Sequence, residues 1–409
     1  MLCLGVNAIV GSGIYAFPGL LAQQTGSLSW IAFAICGAMS IAVGLCFAEA
    51  AGMFERSGGP YIYARTAFGG VVGYLVGWSC WVAAVMSWAA VARAIPPYLE
   101  PLSPLFGTSI GAGGLAVVIC AALGVVNYLG VKPGAYTADL LTAAKLVPLL
   151  VLVGLGLFAA HPGPAASVHS SWSALPRAAL TAFFAFQGFE VVPVPAGETR
   201  DPRRAAPRAV LGSIAGATLL YVAVQWTAVA STPGIAGSTQ PLALMGRHLL
   251  GGAGGLMVAA AAVVSMLGFC AGVALAGPRY LEPLCADGHL PRALARRHPR
   301  TDTPHLAILT TTAVTCILVV FLNFTELVNL SVLTVSVQYL VTCVGVPVLR
   351  RRHPDLPRAF RVPLGPVVPI VAVGVVLWLG AQARPTELVG FAAMLGVGGL
   401  LRLVTPRVH

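Results

Sequence analysis

Apolar residues fill this chain in long runs, each near the length that crosses a bilayer as a helix, with short polar or glycine- and proline-rich links between them. The runs fall at 1–22, 28–53, 70–95, 112–131, 136–160, 175–197, 208–230, 253–281, 305–322, 326–349, 364–382 and 386–403, the ninth and tenth parted only by Asn323, Phe324 and Thr325. They predict an all-α polytopic membrane protein of roughly 12 transmembrane helices.

Two of the runs do not read as continuous helix. The first is interrupted at Ile9-Val-Gly-Ser-Gly-Ile-Tyr15 and the sixth around Ala185–Gly188, within Phe183-Phe-Ala-Phe-Gln-Gly-Phe-Glu190. Breaking a helix at that depth strands N–H and C=O groups that hydrocarbon cannot satisfy, at several kcal/mol each. The freed groups must therefore face protein, water or a ligand. Paired interruptions at corresponding positions of two halves are the sequence sign of a transporter's binding site.

Composition agrees with the membrane reading. The chain is 57% hydrophobic and 9% charged, with a mean hydropathy of +0.86, whereas soluble domains carry roughly 25% charged residues. Its net charge of +11 could suggest a nucleic-acid partner, but placement argues against one. With a cytoplasmic N-terminus, the inward loops hold Arg56, Arg65, Lys132, Arg200, Arg203, Arg204, Arg208, Arg279 and the arginines of 292–300 and 350–361. The outward loops then hold only Arg93, Arg177, Arg247 and Arg384. That asymmetry orients a protein in the cytoplasmic membrane.

Other chemistries find little support. The nine cysteines lie mostly inside apolar runs without CxxC spacing, and the eight histidines lack the i, i+4 spacing of a helical metal site. We expect no metal and no cofactor. Gly11-Ser-Gly13 is half of a dinucleotide fingerprint, but no acidic residue follows until Glu49 and no strand precedes it. The N-terminus lacks the basic region and cleavage site of a secretory signal. The lead-in before Gly11 is short for a half-helix, and whether residues precede Met1 is not legible in the sequence.

Further motifs follow in order: Glu49, Gly58-Gly-Pro-Tyr61, Phe68-Gly69 and Gly77-Trp78; Asn127-Tyr-Leu-Gly-Val-Lys132; Thr142-Ala-Ala-Lys-Leu-Val-Pro148. The sixth run closes in Glu198-Thr-Arg-Asp-Pro-Arg203 through Pro207-Arg208, and Asp287-Gly-His-Leu-Pro291 and Thr303-Pro304 come after the eighth. In this collinear order, over nearly the whole chain, the sequence resembles the amino acid–polyamine–organocation (APC) superfamily of permeases. The resemblance implies a transporter core over 1–350, built of two inverted five-helix repeats (about 1–160 and 175–350) with discontinuous helices 1 and 6, and two terminal helices in 360–409. It implies alternating access, with substrate bound between the broken helices.

Carried over residue by residue, the substrate carboxylate falls to the backbone of Gly11, Ser12 and Gly13, with Ser12's hydroxyl and the flanking Ile9 and Ile14. The ammonium falls to carbonyls of Phe184, Ala185 and Gln187, beside Gly188. Elementary electrostatics agrees, because half-helix N-termini attract anions and C-termini attract cations. Phe183, Phe184 and Phe186 are candidates for an aromatic gate, and at least one of them must pack elsewhere, since successive residues face different ways. Lys145 lies mid-span with no acidic residue within one turn, so its charge is costly there and its amine is a candidate for gaining and losing a proton. The resemblance implies a proton-coupling role for it. Glu190 and Glu49 are the gating or structural carboxylates. In the eighth run, Phe269 and Cys270 stand where the family often has small polar residues, and Ser265 is the nearest hydroxyl.

The expected function is secondary active transport of a neutral L-amino acid by proton symport, with proton-independent exchange as the alternative. A channel, a membrane enzyme and a non-transporting sensor are weaker readings: no filter or charge ring and no convergent catalytic set occurs in the sequence. The expected partners are the amino acid, protons and membrane lipid. The oligomeric state is not legible in the sequence.

Overall fold

The computed structural model describes residues 2–54, 59–101, 103–130, 135–159, 170–193 and 201–405, with backbone alone at 3, 4, 135–144 and 202. Arg56, Gly58, Lys132 and the 197–200 segment, singled out above, lie outside these residues.

Among the described residues every regular element is a helix. In order, the helices are α1 (Leu2–Ile9), α2 (Ser12–Thr25), α3 (Ser29–Met53), α4 (Pro60–Phe68), α5 (Gly70–Ala94), α6 (Pro96–Leu99), α7 (Ser109–Tyr128) and α8 (Ala135–Ala159). They continue as α9 (Leu175–Phe183), α10 (Pro202–Ser231), α11 (Pro241–Ala276), α12 (Leu281–Ala286), α13 (His305–Phe321), α14 (Phe324–Arg352), α15 (Val367–Ala381) and α16 (Pro385–Val404). Among the described residues, seven helical stretches are long and apolar enough to cross a membrane, and three shorter apolar helices accompany them. This is a multi-pass membrane protein.

Local chemistry sets many of the boundaries. Proline opens α4, α10, α11 and α16, at the helical position where its missing N–H has no partner to lose. α14 starts in a capping box: Asn323 accepts from the Glu326 N–H and Glu326 accepts from the Asn323 N–H. α13 and α14 are thus separate helices, with only Leu322 and Asn323 between them. α11 starts well before the apolar run at 253 and bends at Gly251 (φ 73°, ψ −169°), a conformation that glycine tolerates.

The packing is systematic. α2 lies against α9, α3 against α10, α5 against α11, and α7 against α13, while α5 also packs on α14 and α8 on α11. α3 and α14 are stapled by a buried charge pair. Glu49 is 0% exposed. It accepts from Arg350 Nε (2.7 Å) and Nη2 (2.5 Å), and from the Val362 N–H (2.7 Å).

α16 is fastened to the core at both ends. Near its start Glu387 accepts from Arg177 of α9 (2.7 and 3.1 Å) and from Asn329 of α14 (2.7 Å). Farther along, Tyr74 and Trp78 of α5 donate to the carbonyls of Gly398 (2.6 Å) and Met394 (3.0 Å).

Candidate functional site

The first run breaks at Val10–Gly11. The Gly11 N–H turns back onto the Ile9 carbonyl (2.8 Å), and α2 begins at Ser12 without a side-chain cap. The opening N–H groups of a helix have no intrahelical acceptor. Here those are Ser12, Gly13 and Ile14, so the free donors sit one residue beyond the Gly11–Gly13 trio that the sequence suggested. Ser12 is buried, and its hydroxyl makes no hydrogen bond among the described residues.

The sixth run breaks more widely. α9 ends at Phe183, a 3-10 turn covers Phe184–Phe186, Gln187 is extended (φ −63°, ψ 147°) and Gly188 has φ 121°. The Gly188 N–H is received by the Glu190 carboxylate (2.9 Å), which also accepts from the Tyr339 hydroxyl (2.9 Å). Glu190 is therefore the internal cap of this break, tied to α14.

The two breaks cross in direct contact. A Cβ on Gly13 would stand 2.5 Å from the Cβ of Ala185, and one on Gly188 would stand 2.5 Å from the Ala8 carbonyl oxygen. Glycine is required at both positions by proximity, and at Gly188 also by its positive φ. Tyr221 of α10 bridges the pair, its hydroxyl lying 2.8 Å from the Ile9 oxygen and 3.1 Å from the Ala185 oxygen. Sequence reading missed Tyr221. It lies in an apolar run, and only the fold brings it to both breaks.

Lys145 of α8 is 1% exposed. Its Nζ donates to Oδ1 (2.7 Å) and the backbone oxygen (3.3 Å) of Asn7, in the last turn of α1. A half-helix ends there with carbonyls that have lost their amide partners and with the negative end of its dipole. An ammonium fits that place, and among the described side chains no carboxylate is bonded to it. The Lys145 carbonyl accepts from Tyr15 (3.1 Å), whose own carbonyl accepts from Tyr98 (2.8 Å).

The aromatic residues divide by role. Phe183 packs on Tyr339, and Phe186 on Phe33 and Tyr221; both are 0% exposed. Phe184 instead meets Phe17 edge-on, and Phe17 meets Phe324, forming an aromatic cover over one side of the crossing. Phe269 of α11 lies over Gly11, with a ring carbon 3.3 Å from where a Cβ would be. Cys270 is buried, and the buried Ser265 hydroxyl has no hydrogen bond. Glu49 serves the α3–α14 staple.

The crossing thus offers buried donors at one helix start and carbonyls near the end of another half-helix. Comparison with known proteins identifies the family. The amino acid permease family profile matches residues 1–391. A serine/threonine exchanger of Bacillus subtilis (strain 168) is 29% identical, covering 98% of this chain and 93% of that protein. A methylthioribose transporter of the same strain is 26% identical over 99% of this chain and 92% of the relative. A branched-chain amino acid permease, again from that strain, is 27% identical over 99% and 91%. By this match across almost its whole length, the chain belongs to the amino acid permease family, in the APC superfamily that its motifs resemble.

Proposed function

We propose that the protein carries a neutral L-amino acid across the cytoplasmic membrane by alternating access, with Lys145 coupling the movement to protons. The observation that carries this reading is the contact between the two breaks, where Ser12 keeps a buried hydroxyl without a partner. The carboxylate would take the N–H groups of Ser12, Gly13 and Ile14. The ammonium would take carbonyls of Phe184, Ala185 and Gln187, each of which has a second lone pair even where it already accepts one bond. A zwitterion satisfies both ends without a charged side chain, which favours a neutral cargo. The amino acids named for two of the relatives, serine/threonine and branched-chain, are of that kind.

The reading includes twelve crossings, two five-helix repeats and a cytoplasmic N-terminus. In support, counting crossings in order, the first packs on the sixth, the second on the seventh, the third on the eighth and the fourth on the ninth. A duplicated unit folded about a pseudo-twofold axis would give that exchange. Orientation rests on the loop arginines.

Exchange without protons is the alternative, favoured by the name of the first relative. Purified protein in proteoliposomes tests both. Concentrative uptake driven by an imposed pH gradient supports coupling. Uptake that needs internal amino acid and ignores the gradient identifies exchange. Binding without flux identifies a sensor, and flux of methylthioribose but of no amino acid refutes the zwitterion site.

A further inference from the structure

Gln187 contributes a side chain as well as a backbone carbonyl to the second break, and the side chain is only half satisfied. Its Oε1 accepts from the Ser331 hydroxyl of α14 at 2.9 Å. Its Nε2 is buried and has no hydrogen-bond partner among the described residues, and Ser331 is itself 0% exposed. A buried amide donor left unpaired is a standing penalty, rare enough in native proteins to require an explanation. Exchanging the carboxamide's two terminal atoms does not remove it, because Ser331 would then accept from Nε2 and Oε1 would be the orphan. Either way one buried polar atom is left over.

Position says what that atom could meet. Gln187 follows Ala185 by two residues, and Ala185 is the residue that touches Gly13 of the first break. Ser331 lies seven residues after Phe324, two turns along the same face of α14, and Phe324 belongs to the aromatic cover with Phe17 and Phe184. The Gln187–Ser331 pair therefore lies beneath that cover, beside the crossing.

Given the amino acid site proposed above, on which this step rests, we propose that the Gln187 carboxamide, held by Ser331, reads the cargo's side chain and selects amino acids bearing a hydroxyl or carboxamide over aliphatic ones of equal size. A hydroxyl both donates and accepts, so it satisfies the leftover atom in either orientation of the amide. A methyl group in the same place leaves that atom buried and unpaired.

The test compares near-isosteric cargoes, threonine with valine and asparagine with leucine, as apparent KM in proteoliposomes. The wild type should favour the polar member of each transported pair by about tenfold or more. Gln187→Leu should bring the ratio near one by weakening the polar cargo and improving the aliphatic one, a shift in preference that a merely structural role would not produce. Ser331→Ala should lower the ratio less, and it serves if Gln187→Leu fails to fold. A wild-type ratio near one, a preference for the aliphatic member, transport of neither pair while other amino acids move, or a ratio unchanged in the variants overturns the inference. Failure of every amino acid to move would instead refute the underlying site.

Discussion

Substituting Gly188 by alanine tests whether the two broken helices truly meet. Two costs add at this position. Its φ of 121° lies where L side chains are strained, at about 1–2 kcal/mol for an ordinary residue. The new methyl would also stand 2.5 Å from the Ala8 oxygen, 2.6 Å from its carbonyl carbon and 3.0 Å from the Ile9 nitrogen. Those are backbone atoms of α1, so relief requires moving the half-helix and not a flexible side chain. Overpacking of this kind adds about 1–3 kcal/mol, giving about 2–5 kcal/mol in all. Gly234 supplies the control, because its φ is +71° and a Cβ there meets nothing within 4 Å. Gly234→Ala should show the strain alone, about 1–2 kcal/mol. Reversible unfolding of both variants in one detergent, followed by tryptophan fluorescence, measures the difference. Gly188→Ala should also weaken amino acid binding, since it pushes the two halves of the cradle apart. Equal destabilisation by the two substitutions would refute the crossing of α1 with the second break.

Three further outcomes are expected. Lys145→Ala leaves both Asn7 oxygens without their donor and should abolish uptake driven by an imposed pH gradient in proteoliposomes; gradient-driven uptake persisting in that variant would remove Lys145 from the coupling. Tyr221→Phe strips a donor from the Ile9 and Ala185 carbonyls, with a stability loss of about 1–3 kcal/mol in chemical unfolding and a raised apparent KM; an unaltered KM would make Tyr221 purely structural. Arg177→Ala leaves Glu387 buried without its cation and should cost about 3–5 kcal/mol by the same unfolding measurement, whereas Arg177→Ala combined with Glu387→Ala should recover much of the loss; no recovery in the double variant would rule out the ion pair as the cause.

The membrane class and the two breaks were legible because both have one-dimensional signatures: apolar length for a span, and glycine inside it for an interruption. Boundaries were less so where sequence signals overlapped. The α10 run was expected from 208, but the helix starts at Pro202, because proline suits the first position of a helix and the helix extends past its apolar stretch. The donors of the first break shifted by one residue because the Gly11 N–H closes on Ile9, a turn that composition does not encode. Asn7, Tyr221, Ser331 and Tyr339 could not be found in the sequence at all. Each serves a residue between 138 and 212 positions away or in another helix, and their polar atoms sit in runs that otherwise read as lipid-facing or core.

What unites the candidate residues is the last turn of α1. Asn7 receives Lys145 from α8, the Ala8 carbonyl abuts Gly188, and the Ile9 carbonyl takes Tyr221 from α10. Gly5, one turn earlier, lies close against Ser213 of α10, with 2.7 Å from its Cβ position to the hydroxyl. A short half-helix held from three sides cannot tilt without exchanging several of these partners. In the proposed cycle the cargo ammonium rests on carbonyls of the second break, which Tyr221 ties to Ile9, and the Lys145 ammonium rests on Asn7, two residues before Ile9. Like charges so placed disfavour each other in a low-dielectric site. Symport must therefore move Lys145 away from Asn7 or neutralise it at some step, whereas exchange lets it remain as a fixed cation completing the end of α1. The choice between the two mechanisms reduces to whether the Lys145–Asn7 bond breaks during turnover.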